Sequence, residues 1–153
     1  MVVRVDIDRS APAIAASDAD IAAAPETVWS VLTGFERWPS WNPEVKSVTV
    51  AGPVREGAVF RWKTGRATIT STISEIDRPR QIGWTGKTMG IGAVHVWRLE
   101  AREGGTHVTT EESWSGLPVR ILRGSMQKNL QRALDEGLAC LKAEAERRAQ
   151  SPG

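Results

Sequence analysis

The stretch GIGAVHVWRLEAREGGTHVTTEESWSGLP, residues 90–118, alternates apolar and polar side chains on both sides of a glycine pair. Gly104-Gly105 accepts a positive φ at both positions, so it predicts a two-residue turn between two antiparallel strands. Successive side chains of a strand point to opposite faces, and one face of this hairpin therefore carries His95, Trp97, Glu112 and Trp114. A histidine and a carboxylate beside two tryptophans indicate a chemical site, a binding site or a solvated edge of the sheet.

Before this hairpin the same alternation continues, with Gly and Pro residues between the segments. The predicted strands of this region and the hairpin cover residues 46–51, 57–64, 66–76, 80–87, 91–102 and 106–116. Strands that follow one another through short turns favour an antiparallel meander. One more strand is predicted over 13–23, and residues 1–12 are predicted as an N-terminal arm or an edge strand.

Two regions have helical periodicity instead. Pro25 suits the first position of a helix, Gly34 can end that helix, and a second short helical turn is expected from Glu36 to Trp41. From Pro118 to about Arg148 the apolar period is 3.6 residues, which predicts a long amphipathic helix followed by a flexible tail at 149–153. Its apolar stripe consists of Leu122, Met126, Leu130, Ala133, Leu134, Gly137, Leu138, Leu141 and Ala145.

This order of elements predicts an α+β protein. A curved antiparallel sheet of six or seven strands must cover its apolar face, and the final helix is the only element long enough to do so. Two short helices follow the first strand. Because a sheet wrapped around one helix need not close along its whole length, a cavity is expected between them.

Composition limits the possible functions. The 153 residues fit one domain, and a net charge of +2 is too small to indicate a nucleic-acid partner. No apolar run is long enough for stable membrane insertion, and the N-terminus lacks the apolar core of a signal peptide. The single cysteine, Cys140, excludes an internal disulfide and fits a cytoplasmic location. Seven Trp and no Tyr indicate that some of the tryptophans line a site, or that they only pack the core.

Several of these segments resemble the START-like superfamily, also called SRPBCC or birch-pollen-allergen-like. The similar segments are DIAAAPETVWSVLTGFERWPSWNP (20–43), Glu75 to Arg80 followed by Trp84, and His95 to Glu100 before the glycine pair. Within the superfamily the chain is most similar to the polyketide cyclase/dehydrase and lipid-transport branch. The resemblance implies a helix-grip fold around a mostly apolar pocket for lipids, polyketides, quinones or aromatic metabolites. It carries over no catalytic residue.

His95 and Glu112 are the candidate catalytic residues. Pairing outward from the glycine turn sets Trp97 opposite Glu112 and His95 opposite Trp114, with Glu112 diagonal to His95. Their apolar neighbours indicate that both side chains point toward the final helix. Since a buried carboxylate needs a partner, the two form either a structural hydrogen-bonded pair or a general acid–base pair.

A second predicted hairpin, across Thr64-Gly65, sets Trp62 opposite Ala67 and Phe60 opposite Ile69. Trp38 and Trp41 are included because the resemblance places that region at a pocket entrance. Each of these side chains either binds ligand or only packs the core. The candidate ligand-binding residues are Trp38, Trp41, Phe60, Trp62, Ile69, Ser71, Trp84, Trp97, Trp114, Met126, Leu130 and Leu134.

The candidate metal and cofactor motifs in the sequence lack the residues or the spacing that such sites require. Gly86-Lys87-Thr88 lacks the preceding glycine of a phosphate-binding loop, and His95 with Glu112 supplies too few ligands for zinc. We therefore expect no metal and no cofactor.

Three functions remain open at this point. The leading hypothesis is binding of a small hydrophobic, ring-bearing metabolite by a monomer or homodimer. The alternative is a polyketide cyclase or dehydratase that uses His95 and Glu112. The third is a protein-interaction module of the chaperone-activator kind, which requires an exposed apolar patch, whereas the outer strand faces look polar.

Overall fold

The computed structural model describes residues 5–150 and contains one antiparallel sheet of seven strands. The strand order across the sheet is β1-β7-β6-β5-β4-β3-β2, so the first and last strands of the chain are neighbours. Each strand predicted from the alternation is present, with ends that differ by no more than two residues. The strands are β1 (Ala13–Ile21), β2 (Val45–Ala51), β3 (Val59–Thr64), β4 (Ala67–Asp77), β5 (Gln81–Thr88), β6 (Ile91–Arg102) and β7 (Gly105–Ser115).

The helices also follow the predicted order. They are α1 (Pro25–Thr33), a 3₁₀ turn (Phe35–Arg37), α2 (Trp38–Trp41), α3 (Leu117–Ile121) and α4 (Arg123–Gln150). Pro25 is the first residue of α1, where its missing N–H removes no hydrogen bond. Gly34 ends α1, and its N–H donates to the Ser30 carbonyl at 3.1 Å.

The single long helix predicted from Pro118 is wrong in one respect. At Leu122 the backbone leaves the helical region, and this residue separates α3 from α4. The break lets Val119 of α3 be fully buried, while Leu122 is left 53% exposed. Leu122 and Ala133 therefore do not belong to the buried stripe, which runs through Leu130, Leu134, Leu138, Leu141 and Ala145.

Both predicted hairpin registers are wrong by two residues. Arg102 pairs with Gly105, so the turn is Glu103-Gly104, and His95 lies directly opposite Glu112. In the other hairpin Thr64 pairs with Ala67, and this sets Trp62 opposite Ile69. A shift of two residues keeps every side chain on its predicted face, so the inward direction of His95 and Glu112 is confirmed.

The described part of the N-terminal segment is an arm and not an edge strand. Residues 5–8 have no strand pairing and lie across the convex face of the sheet. The Asp8 N–H donates to the Ser113 hydroxyl at 3.0 Å, and Arg9 bonds to Glu111 at 2.6 Å. The flexible tail predicted from residue 149 does not begin there, because residues 149 and 150 still belong to α4. The predictions for residues 1–4 and 151–153 lie outside the described part of the chain.

Candidate functional site

The inward-facing side chains of the sheet are fully buried at one end, the closed end, and only partly buried at the other, the open end. At the closed end, α1, α2 and the last turns of α4 cover a core that includes Phe35, Phe60, Trp84 and Leu141. A smaller core forms where α3 and the first half of α4 meet β1. Between these cores, at the end of the sheet next to α3, inward-facing side chains are only partly buried.

We call this set of partly buried, inward-facing side chains the groove. Ala93 lies opposite Trp114 across β6 and β7, and Trp62 lies opposite Ile69 across β3 and β4. Gly86, between them on β5, is buried, and a Cβ there would lie 3.2 Å from Cγ2 of Ile69, so the side chain of Ile69 packs over it. The groove residues are Trp62, Ile69, Ala93, His95, Glu112, Trp114 and Met126, all of them half-buried.

His95 and Glu112 are the innermost polar residues of the groove. Their side chains are 14% and 17% exposed, and Nδ1 of His95 lies 3.5 Å from Oε1 of Glu112. The indole Nε1 of Trp114 donates to the other carboxylate oxygen at 3.0 Å. On the far side of His95, Thr110 is fully buried, and its hydroxyl lies 2.8 Å from Nε2.

Burial decides the charge of this histidine. Loss of hydration lowers the pKa of His95 below its ordinary value, and the Glu112 carboxylate opposes that shift only in part. His95 is therefore neutral at pH 7. A carboxylate only accepts hydrogen bonds, so the neutral ring is best oriented with its proton on Nδ1 toward Glu112 and with Nε2 accepting from Thr110.

Glu112, His95 and Thr110 follow one another in space as the members of a catalytic triad do. The burial of the Thr110 hydroxyl, however, excludes nucleophilic catalysis by this residue. The Thr110 hydroxyl is fully buried within the sheet, and it also lies 3.3 Å from the Val96 carbonyl. No substrate carbonyl can reach an atom in that position. The groove instead presents the carboxylate of Glu112, the imidazole edge of His95 and apolar side chains.

Aromatic rings hold His95 in place. Its ring lies 5.1 Å from the rings of both Trp84 and Trp97, measured between centroids. Trp84 also contacts Phe35 and Phe60 in the closed core. The histidine thus joins the packed core on one side and the groove on the other.

The predicted ligand-binding residues separate into two groups. Trp62, Ile69, Trp114 and Met126 are half-buried and line the groove. Trp41 is also half-buried. Trp41 and Trp62 pack against the closed core, and Trp114 and Met126 pack against the smaller core. Ligand contact at each of these positions remains a prediction. The remaining candidates are buried in the cores, namely Trp38, Phe60, Ser71, Trp84, Trp97, Leu130 and Leu134.

Two of the buried candidates have roles that the sequence did not indicate. Ser71 accepts a hydrogen bond from Nε1 of Trp62 at 3.1 Å and so orients that ring at the groove. Trp38 donates from Nε1 to the Leu32 carbonyl at 3.0 Å, which ties α2 to α1.

Thr110 is the site residue that sequence reasoning missed. It lies two residues before Glu112 and therefore on the same face, so the alternation itself could have identified it. The buried indole N–H groups of Trp41 and Trp97 are also notable, because neither has a hydrogen-bond partner within residues 5–150.

Other possible sites lie away from the groove. Two surface pockets of about 460 and 500 Å³ lie beside the β6–β7 turn and at the β2–β3 loop. Residues 5–150 contain no cluster of three or more His, Cys, Asp or Glu side chains that could hold a metal. No helix in that range is both long and apolar enough to cross a membrane.

A curved antiparallel sheet around a long C-terminal helix, with short helices after the first strand, defines the helix-grip class of START-like domains. The chain belongs to the family described as polyketide cyclase / dehydrase and lipid transport, whose model matches residues 12–146. No curated protein matches the sequence significantly.

Solved structures share this fold at low identity. An aromatase/cyclase, Zhui, from Streptomyces sp. R1128 is 17% identical with a TM-score of 0.78, covering 92% of this chain and 97% of its own. A START superfamily protein from Mycobacterium smegmatis is 18% identical with a TM-score of 0.71, covering 88% and 98%. A hypothetical protein from Helicobacter pylori is 15% identical with a TM-score of 0.80, covering 95% and 99%. At these identities the likeness shows the fold alone.

Proposed function

We propose that the protein binds a small apolar, ring-bearing metabolite that carries a hydroxyl or carbonyl group. The observation that carries this proposal is the His95–Glu112 pair, whose Nδ1 and Oε1 atoms lie 3.5 Å apart among half-buried tryptophans on the concave face of the sheet. Apolar walls with a few convergent polar groups are typical of small-molecule sites. The family to which the chain belongs supports a role in binding or processing such molecules.

The polar pair gives the groove a preference for one end of the ligand. Glu112 accepts from Trp114 through one oxygen, and its 3.5 Å separation from His95 leaves the other oxygen weakly bonded. A ligand hydroxyl that donates to this carboxylate gains a charge-assisted hydrogen bond. The rings of Trp62 and Trp114 supply flat apolar surface for a ring system.

Native mass spectrometry of the purified protein, followed by organic extraction, tests the proposal while the ligand is still unidentified. A bound lipid, quinone or aromatic compound supports it and identifies the ligand class. Calorimetric titration with 2-naphthol, which has two fused rings and one hydroxyl, then measures the affinity of the groove for a neutral probe.

A pair of matched variants locates the binding. Ala93 faces the groove, whereas Gly92 is the adjacent residue on β6, faces the convex side and has open space where a Cβ would lie. We expect Ala93→Phe to abolish the heat of 2-naphthol binding and Gly92→Phe to leave that heat unchanged. Equal binding by both variants would contradict a site in the groove.

A second candidate function is acid–base catalysis on the bound molecule. The observation that favours it is that the groove presents the Glu112 carboxylate beside a neutral histidine, so this carboxylate can accept a proton from a bound molecule and return it. With the compound identified by extraction, His95→Ala and Glu112→Gln separate the two functions. Loss of turnover with nearly intact affinity favours the enzyme, whereas loss of affinity alone favours the carrier.

A further inference from the structure

The open end of the groove is surrounded by exposed apolar side chains. Met89 in the β5–β6 turn is 71% exposed, and Leu117, Ile121 and Leu122 at the α3–α4 junction are 67%, 69% and 53% exposed. We call these four residues the apolar tip. Of the five large hydrophobic residues that the structure leaves exposed in residues 5–150, four belong to it.

The two elements of the tip are fixed against each other. A Cβ placed on Gly116 would lie 2.1 Å from the Gly90 carbonyl oxygen, so only glycine permits this contact. A Cβ on Gly90 would lie 3.7 Å from two ring carbons of Pro118. The β5–β6 turn therefore packs directly against the start of α3 and brings Met89 beside it.

The orientation of α3 is the reverse of the usual amphipathic arrangement. Val119 is fully buried and anchors the helix. Leu117 and Ile121 are four residues apart, so they lie on one face, opposite Val119. The most apolar face of α3 thus points to solvent.

Met89 is also unusual for its position. It has a φ of 44°, in the left-handed region, where turns of this kind favour Asn, Asp or Gly. A large apolar side chain at such a position is disfavoured by the backbone conformation, and its apolar surface is exposed to water. Residues that depart from local sequence preferences in this way are typical of functional surfaces.

Most of the charges near the tip are positive, although Asp8 is exposed at the same end of the sheet, where its carboxylate accepts from Ser115 at 3.4 Å. Lys87, Arg120 and Arg123 are exposed next to its residues, and Arg66 is exposed in the β3–β4 turn at the same end of the sheet. Neither residues 78–99 nor residues 113–134, which contain the whole tip, include an Asp or Glu. A symmetric contact with a second copy would bring these cations together and is disfavoured.

We propose that the apolar tip docks on the surface of an anionic lipid bilayer, with the groove opening toward the membrane. Aliphatic side chains that project beside Arg and Lys match a surface that offers both hydrocarbon and phosphate. The docking is peripheral, and it does not depend on the ligand proposed for the groove. An acidic soluble protein would satisfy the cations without burying the tip in hydrocarbon.

Vesicle flotation of the full chain tests this inference. We expect the protein to float with vesicles that contain about one third phosphatidylglycerol, and to remain behind with phosphatidylcholine alone. The double variant Leu117→Ser/Ile121→Ser is expected to lower the bound fraction at least about tenfold, because both side chains lose their burial in the bilayer. Val54→Ser, at an exposed apolar residue in the β2–β3 loop at the other end of the sheet, serves as the control and should float like the wild type.

Met89→Asn separates docking from folding. Asn accepts the positive φ, so thermal stability should be unchanged or higher while vesicle binding falls. Failure of the wild type to float with anionic vesicles would overturn the proposal, as would flotation of the double variant at the wild-type level.

Discussion

Between pH 7 and pH 5, acid should destabilise this protein through the buried histidine His95. Burial lowers the pKa of His95 in the folded state, whereas in the unfolded chain the residue titrates near its ordinary value. As the pH falls through that ordinary value, His95 becomes protonated in the unfolded chain but stays neutral in the folded protein. The stability contributed by neutral His95 is thus fully present above this pH and is lost below it.

The size of the effect follows from linkage. Below a pH of about 6.5 the loss approaches roughly 1.4 kcal/mol for each pH unit until the folded protein also takes up the proton. From pH 7 to pH 5 it therefore amounts to at most about 2 kcal/mol. A domain of this class has roughly 5–15 kcal/mol of stability, so the change is well within measurement.

Urea unfolding at a series of pH values provides the assay. His95→Gln keeps a polar side chain but cannot titrate, so its free energy of unfolding should fall less between pH 7 and pH 5 than that of the wild type. His107→Gln is the matched control, because His107 lies at the sheet surface beside Asp18 and Asp20. Equal losses in wild type and His95→Gln would refute the assignment of a buried neutral histidine.

Three further variants test the surroundings of this residue and of α4. Glu112→Gln removes the carboxylate that opposes the effect of burial, so the His95 pKa, followed by imidazole NMR, should fall further; a rise would contradict the pairing. Thr110→Val leaves Nε2 of His95 without its partner and should lower the free energy of unfolding by about 1–3 kcal/mol in urea, whereas an unchanged value would mean that the bond contributes nothing. Leu134→Ala removes a side chain that is 3% exposed and should cost about 2–5 kcal/mol, while Leu122→Ala, at 53% exposed, should stay within about 0.5 kcal/mol; similar costs would show that the helix break is misplaced.

The order of strands and helices could be predicted from the sequence because each segment has its own period. The turn of the β6–β7 hairpin could not, although its glycines were identified. Gly104 takes the positive φ of 80°, whereas Gly105 is needed because a Cβ there would lie 2.1 Å from the Ile21 carbonyl oxygen. A tertiary contact of β1, invisible in the hairpin itself, thus decides the register.

The sequence predicts on which face of the sheet the candidate site lies, but it does not predict how deeply each side chain is buried. Alternation places His95, Glu112 and Trp114 on the concave side, and a two-residue shift does not change this. Which inward residues stay half-exposed depends on where α4 lies, and α4 packs mainly against β1 and α1. Trp84 and Trp114 both face inward, yet one is in the closed core and the other in the groove.

The break at Leu122 shows a similar limit. The apolar period runs through this residue without interruption, and no proline or glycine marks the change at that position. The chain bends there because Val119 is buried against the smaller core that α4 covers. Periodicity alone therefore joins α3 and α4 into one helix and assigns the exposed Leu122 to the core.

Imidazole and indole NMR during a titration with 2-naphthol tests the central claim most directly. If the groove binds ring-bearing molecules against the polar pair, the ring signals of His95 and the Nε1–H signal of Trp114 shift together and saturate. The signals of His107, at the outer surface of the sheet, stay in place. Saturable binding that leaves His95 and Trp114 unshifted would contradict the account, because the ligand would then lie elsewhere on the protein.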